Sequence, residues 1–323
     1  MTDSDLDWLS LQAGDGQRVH VYRWLPERDP VAVVQIAHGM GEHAARYDWT
    51  ARQLNAAGYA VYANDHRGHG RTAHPARLGW MGPDGWNRVV ADAGDLTDFI
   101  AREHPGLPRV LLGHSMGAML TQQYLYRYGT KLDAAVLSGS PGMAGRLQSW
   151  LSRAIATVER WRLGPESESA VMQKLLFGKS NDAFDAPGAT GYEWLSRDAG
   201  QVAAYVADPQ CGFVLRTGSL CDLFAGAAEA QHQENVLQIP PALPVYVFSG
   251  SDDPVHRQEK NLERLLAKYR RHLERVDYRS YPGGRHEMLN ETNRDEVVQD
   301  LLAWLSAALS NPSGNPATAS SPN

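Results

Sequence analysis

The chain has 323 residues, of which 43% are hydrophobic and 21% charged, a composition typical of a globular protein with a large core. Its net charge of −6 provides no basic excess to attract nucleic acid or anionic membranes, so we expect no nucleic-acid partner. No apolar run has the length of a transmembrane helix, and two cysteines are too few for a disulfide framework or a structural zinc site.

The first sixteen residues are acidic and lack the basic end and apolar run of a signal peptide. Cys211 and Cys221 are expected to be reduced thiols. Together these features predict a cytoplasmic protein.

Seven short runs bounded by turn residues predict β-strands. The first alternates in polarity like a hairpin strand, whereas most of the others are continuously apolar. Continuous apolar runs are typical of parallel strands that are covered on both faces. The predicted strands are residues 18–24, 31–37, 59–65, 109–115, 134–140, 244–250 and 275–281.

Helical patterns lie between most of these strands, with apolar residues at three- and four-residue spacing. The predicted helices are residues 47–57, 86–103, 115–128, 259–271 and 295–309. Strands that alternate with helices require crossover connections. The pattern therefore predicts an α/β fold with a mostly parallel, doubly wound sheet.

The alternation stops between two of the strands, where the sequence becomes helical and irregular. We expect residues 141–240 to form a cap inserted into a core of residues 1–140 and 241–309. Residues 310–323 contain almost no apolar side chain and are predicted to form a disordered tail.

One predicted cap helix carries an apolar stripe at helical spacing. Two interpretations remain open: the stripe packs the cap onto the core, or it lines an acyl-chain tunnel or touches a lipid surface. The stripe consists of Leu147, Trp150, Leu151, Ala154, Ile155, Val158 and Trp161.

The sharpest local motif is Gly113-His114-Ser115-Met116-Gly117, placed directly between a predicted strand and a predicted helix. This is the G-x-S-x-G pattern in which a serine sits on a strained turn. Side chains at the two glycine positions would collide with the neighbouring strand and helix. Ser115 is therefore the predicted nucleophile.

A serine hydroxyl needs a base to accept its proton, and in such folds the chain order is serine, acid, histidine. His286 follows the last predicted strand and a Gly-Gly turn, at a sheet edge where active sites gather. His256 is a weaker competitor, while His232 lies in the cap and His272 ends a polar helix. His286 is the predicted base.

The acid is expected after the preceding strand, where Asp252 and Asp253 stand side by side. Either residue could instead cap the turn before Pro254. The residues alone leave the choice between the two aspartates open.

An oxyanion hole needs a second backbone N–H besides that of the residue after the nucleophile. The turn beginning His38-Gly39 can place the Met40 N–H opposite the Met116 N–H. The turn at residues 65–70, Asp-His-Arg-Gly-His-Gly, is expected to brace the site by ion pairing. No spaced metal-ligand set and no dinucleotide fingerprint occurs, so neither a metal nor a cofactor is expected.

Taken together, five motifs resemble the successive signatures of the monoacylglycerol lipase and bacterial lysophospholipase branch of the α/β-hydrolases, a group of the serine aminopeptidase S33 type. They lie at residues 38–47, 64–70, 113–117, 250–255 and 283–291, and the cap segment 192–213 resembles bacterial members. The resemblance covers about residues 15–306.

By position, this resemblance implies Ser115 as nucleophile, Asp253 as acid and His286 as base, with the oxyanion amides at Met40 and Met116. It also implies an α/β-hydrolase fold and a small-molecule acyl-ester substrate of monoacylglycerol or lysophospholipid type, cleaved through an acyl-enzyme without a cofactor. A general carboxylesterase, a thioesterase or an aminopeptidase on the same fold are the nearest alternatives. A non-catalytic receptor is a further one.

Overall fold

The computed structural model describes residues 6–256 and 259–310 and is organised around one eight-stranded sheet. The strand order is β1-β2-β4-β3-β5-β6-β7-β8, in which β1 and β2 are antiparallel to their neighbours and the other six strands run parallel. The strands are β1 (Trp8–Gln12), β2 (Arg18–Trp24), β3 (Ala32–Ala37), β4 (Tyr59–Asn64), β5 (Arg109–His114), β6 (Ala134–Ser138), β7 (Val245–Gly250) and β8 (Val276–Tyr281).

Helices cover both faces of the sheet, which confirms the predicted doubly wound α/β architecture. On one face, α1 (Asp48–Ala56) and α10 (Arg294–Leu309) pack against the buried side chains of the central strands. On the other face lie α2 (Gly85–Glu103), α3 (Met116–Tyr128) and α9 (Lys260–Tyr269). The apolar strands β3 to β7 are buried along their whole length, apart from the first residue of β5, because both of their faces are covered.

The edge strand β1 is absent from the sequence-based prediction. It exposes or half-exposes four of its five residues and pairs only with β2. A short, solvent-exposed edge strand of this kind lacks the apolar run by which the other strands were predicted.

Five helices lie between β6 and β7, in the region predicted to form the cap. They are α4 (Arg146–Leu163), α5 (Ala170–Phe177), α6 (Ala199–Ala207), α7 (Thr217–Ala230) and α8 (Gln233–Val236). Helix α7 packs against α2, α3 and α4 and so joins this helical insertion to the core. The predicted tail lies outside the described residues from position 311 onwards. Among the residues described, no helix combines the length and apolar character of a membrane span.

The apolar stripe on α4 lies on the surface, so the interpretation that it packs the insertion onto the core is wrong for most of its members. Exposed side chains are those of Leu147, Trp150, Leu151, Val158 and Trp161, the last with 86% of its surface open. The helix instead buries Ala156 and Glu159, while Ile155 packs beside the core.

Candidate active site

The turn between β5 and α3 holds Ser115 in a backbone conformation that side chains rarely adopt, with φ of +52°. The flanking glycines make this turn possible. A Cβ on Gly113 would lie 2.3 Å from the carbonyl oxygen of Gly117, and one on Gly117 would lie 1.9 Å from that of Ala37 in β3. Helix and strand therefore approach so closely that only glycine fits on either side of the serine.

Three side chains predicted from separate parts of the sequence form one hydrogen-bonded chain. The Oγ of Ser115 lies 2.9 Å from Nε2 of His286. The Nδ1 of that imidazole lies 2.9 Å from Oδ2 of Asp253. Because the carboxylate only accepts, it fixes the proton on Nδ1 and leaves Nε2 free to accept the serine proton.

Asp253 also performs the turn-forming role that the sequence assigned to either aspartate. Its Oδ1 accepts from the Val255 N–H at 2.8 Å, so one buried carboxylate both closes the turn and orients the imidazole. The neighbouring Asp252 is exposed and accepts from Ser251.

The rival histidines are not brought to the serine. The ring of His256 is occupied by the carbonyl of Gly250 and the N–H of Glu259. His272 contacts the carbonyl of Ile239, and the side chain of His232 is 59% exposed.

The surroundings of the imidazole tune its basicity. Burial alone would lower the pKa of His286, but the hydrogen-bonded carboxylate of Asp253, with smaller contributions from Glu287 and Glu42, outweighs burial and raises that pKa above its ordinary value. Burial, aided by the nearby His286, lowers the pKa of His114 to about 4. His114 is therefore neutral at pH 7, and His286 is the imidazole beside Ser115 with a raised proton affinity.

The loop after β3, residues 38–43 and named the oxyanion-side loop below, lies directly opposite the turn that holds Ser115. A Cβ on Gly39 would stand 3.4 Å from that of Ser115, and Met40 lines the same cavity as the serine. The Met116 N–H is at the first turn of α3, where backbone donors have no partner within the helix. The two amides predicted for the oxyanion hole thus belong to segments that meet beside Ser115.

A buried ionic network, missed in the sequence, connects this loop to the segment that carries His286. The carboxylate of Glu42 accepts from the Gly39 N–H at 2.5 Å and from Arg46 at 2.6 Å. The same guanidinium donates twice to Glu287, at 2.8 and 2.7 Å. One arginine therefore joins the oxyanion-side loop to the residue that follows His286.

Burial would raise the pKa of Glu287, but the Arg46 guanidinium reverses the effect and lowers it to about 2. Glu287 is thus charged throughout the neutral range. The i,i+4 spacing of Glu42 and Arg46 is the one signal in the sequence that hints at this network.

The turn at residues 65–70 braces the site as expected. Arg67 pairs with Asp92 and Asp15 at 2.7 Å. Asp65 accepts from the Ala44 N–H, within the segment that follows the loop after β3.

A cavity of about 380 Å³ opens above Ser115. The larger part of its lining is apolar or aromatic, including Phe177, Trp194, Leu195 and Phe213, while Gln173 and Lys174 add polar groups from the insertion. None of the seven predicted stripe residues of α4 is among the described residues that line it, so the tunnel interpretation of that stripe is wrong.

The second half of the helical insertion contacts both sides of the site. The Tyr205 hydroxyl and the Gly212 N–H each donate to the carbonyl of Gly41 at 2.9 Å. On the other side, the Glu287 N–H donates to the carbonyl of Leu195 at 2.7 Å. The insertion is therefore tied both to the loop after β3 and to the segment of His286 and Glu287.

A family model described as "Serine aminopeptidase, S33" matches residues 28–293. The chain belongs to this family. A monoacylglycerol lipase of Mycolicibacterium smegmatis is 32% identical, over 94% of this chain and 99% of its own. A monoglyceride lipase of Mus musculus is 25% identical, over 93% and 90%.

Solved structures agree with this placement. A thermostable carboxyl esterase from Bacillus coagulans superimposes with a TM-score of 0.85 at 27% identity, covering 94% of this chain and 99% of its own. A lipase in its open form gives a TM-score of 0.83 at 28% identity, covering 95% and 100%. The predicted α/β-hydrolase fold is confirmed, and the chain is a serine hydrolase of the ester-cleaving kind.

Proposed function

We propose that this S33-family hydrolase cleaves monoacylglycerol- or lysophospholipid-like acyl esters, with Ser115 as nucleophile, His286 as base and Asp253 as the orienting acid. The observation that carries the proposal is the chain of two 2.9 Å hydrogen bonds that ends in an apolar cavity of about 380 Å³. Such a cavity has the size and character of a site for a mostly apolar small molecule.

In the proposed reaction, His286 Nε2 takes the proton from Ser115 as Oγ attacks the ester carbonyl. The negative charge that develops on the carbonyl oxygen is stabilised by the backbone amides of Met40 and Met116. The imidazolium, held by Asp253, then returns the proton to the departing alcohol, leaving an acyl-enzyme. Water, activated by the same imidazole, releases the fatty acid.

The charges around the cavity favour an ester over a peptide. An aminopeptidase needs a carboxylate that can bind the substrate's α-amino group. Of the described residues that line the cavity, the two that carry carboxylates, Glu42 and Glu287, are both already bound to Arg46. An incoming ammonium group would have to compete with that guanidinium.

A chain-length series tests the substrate class. Each methylene that enters the apolar cavity contributes about 0.8 kcal/mol, so kcat/KM should rise about fourfold per added methylene until the cavity is full. We expect medium-chain monoacyl esters to exceed acetyl esters, and alanine and proline anilides to be poor substrates. A flat profile from C2 to C16 would favour a general esterase, and faster anilide cleavage would favour a peptidase.

A fluorophosphonate probe tests the nucleophile and separates an enzyme from a non-catalytic receptor. Ser115→Ala should abolish covalent labelling and lower ester turnover by several orders of magnitude, because the three side chains act as a unit. Ser249→Ala, at a buried serine on β7, is the matched control and should label like wild type. Labelling that persists in Ser115→Ala would assign the reaction to another serine.

We further propose that α4 makes transient contact with lipid surfaces. Its exposed apolar stripe includes Trp150 and Trp161, and its 18 residues carry four arginines against one glutamate. Basic helices with exposed tryptophan bind at the boundary between headgroups and acyl chains. Flotation with phosphatidylcholine vesicles containing phosphatidylglycerol should capture wild type, but much less of Trp150→Ser/Trp161→Ser.

Trp8→Ser is the matched control for that experiment, because Trp8 is exposed on β1 rather than on the insertion. Equal binding of all three proteins would rule out α4 as the contact surface. Both cysteines are free, which supports the further proposal that the protein works in a reducing compartment such as the cytoplasm.

A further inference from the structure

A second cluster of chemically reactive side chains lies behind the oxyanion-side loop, outside the catalytic cavity. His43 comes from that loop, whereas Asp208 and Cys211 come from the segment after α6 in the helical insertion. One ligand atom from each of the three lies within 4.8 Å of the others. A histidine nitrogen, a carboxylate oxygen and a thiolate sulfur are ligands that Zn²⁺ accepts together.

The polar atoms around this cluster are incompletely satisfied by the protein. Nε2 of His43 lies 2.8 Å from Asp208, but Nδ1 of the same ring is buried with no hydrogen-bond partner in the part of the chain that is described. The Oε1 of Gln210, between the two insertion ligands in sequence, is likewise buried and unpaired among these residues. Buried polar atoms without partners are rare, and a bound ion or water is one physical reason for such an atom.

Space and charge both suit a cation. A cleft of about 530 Å³ is lined by His43, Asp208 and Gln210, so an ion and its water ligand can reach two of the three ligands from outside, and Cys211 lies behind them. Arg46 also lies near Cys211, but its charge is opposed by Glu42 and Glu287. Together with Asp208, these carboxylates carry three negative charges against the one positive charge of Arg46, so the local charge is negative before a divalent ion enters.

We propose that His43, Asp208 and Cys211 form a binding site for Zn²⁺ or a similar thiophilic divalent cation. The ion binds the Cys211 sulfur as a thiolate, whose proton passes to solvent, and a water completes the coordination. Since the ligands come from two segments, the ion ties the helical insertion to the oxyanion-side loop. Ligands 168 positions apart form no local motif, which explains why the sequence predicted no metal site.

Cobalt provides a direct test, because a Co²⁺–thiolate bond produces a charge-transfer absorption in the near ultraviolet. The full chain, stripped of metal with a chelator, should bind one equivalent of Co²⁺ or Zn²⁺ and show this absorption. Cys211→Ser should lose the band and bind Zn²⁺ at least about tenfold more weakly, since even residues behind a ligand contribute that much. Asp208→Asn should also weaken binding.

Cys221→Ser is the matched control, since Cys221 is the chain's other cysteine and lies on α7. It should bind like wild type. At one Zn²⁺ concentration, the Tm of wild type and Cys221→Ser should rise by more than that of Cys211→Ser, a serine replacement that keeps the packing. No stoichiometric binding to wild type, or a band that survives in Cys211→Ser, would overturn the proposal.

Discussion

Removing the guanidinium of Arg46 is the most demanding test of the active-site architecture. Its side chain is 11% exposed and lies between Glu42 and Glu287, which are 3% and 6% exposed. Arg46→Met keeps a long apolar stem but leaves two buried carboxylates without their partner. Breaking a buried ion pair from one side costs about 3–5 kcal/mol of unfolding free energy, and we expect a loss in that range.

Arg52→Met is the matched control, because it makes the same substitution six residues further along the chain, on α1. Arg52 is 47% exposed and pairs with Asp48, which is 28% exposed. An exposed pair contributes about 0–1 kcal/mol, so this variant should unfold close to wild type in urea. If Arg46→Met lost no more unfolding free energy than Arg52→Met, the argument that the buried ion pairs of Arg46 stabilise the fold would be refuted.

The pH dependence of Arg46→Met adds a second, independent readout. In wild type the pKa of Glu287 is about 2, below the value of 4.5 that it has in the unfolded chain. Its contribution to the free energy of unfolding is therefore fully present above pH 4.5 and is lost only as the pH falls toward 2. Without the guanidinium, burial raises the pKa of Glu287 above its unfolded value. The stability of the variant should then fall as pH rises, so its deficit should be larger at pH 8 than at pH 5.

Two further perturbations probe the base and the nucleophile turn. Asp253→Asn should lower kcat about 10⁴-fold. Because the carboxylate raises the pKa of His286, this variant should also shift the acid limb of the kcat/KM profile to lower pH than in wild type. Asp252→Asn should change neither quantity much. The reverse ranking in a pH–rate series would transfer the role to Asp252. Gly117→Ala should destabilise by about 1–3 kcal/mol, because its Cβ would lie 1.9 Å from a backbone oxygen, whereas Gly14→Ala meets nothing within 4 Å. Equal urea midpoints for the two alanine variants would contradict that packing argument.

The reactive side chains were accessible to sequence reasoning because each lies at the end of a strand. Ser115 and Asp253 follow β5 and β7, and His286 follows β8. Strands of one parallel sheet present their carboxyl ends at the same edge, so residues far apart in sequence meet there. Local glycine spacing and chain order were therefore sufficient to predict Ser115 and His286, and they narrowed the acid to Asp252 or Asp253, between which the family resemblance decided.

Features built from contacts across the fold were not accessible in this way. Arg46 and Glu287 are 241 positions apart, and no local pattern indicates that they pair. Periodicity correctly predicted an apolar face on α4, but it carries no information on what covers that face. The five exposed residues of the stripe show that apolar residues at helical spacing do not have to be buried.

The attachment of the helical insertion limits how this hydrolase can diversify. Its second half hydrogen-bonds the loop of Gly41 through Gly212 and Tyr205, and the segment of His286 through Leu195. A chimera that takes only the insertion from a relative must re-form these contacts beside Ser115 and His286 as well as changing the cavity wall. Taking the loops at residues 39–43 and 284–291 from the same parent keeps both sides of the contacts together, so we expect turnover and acyl preference to change as one unit.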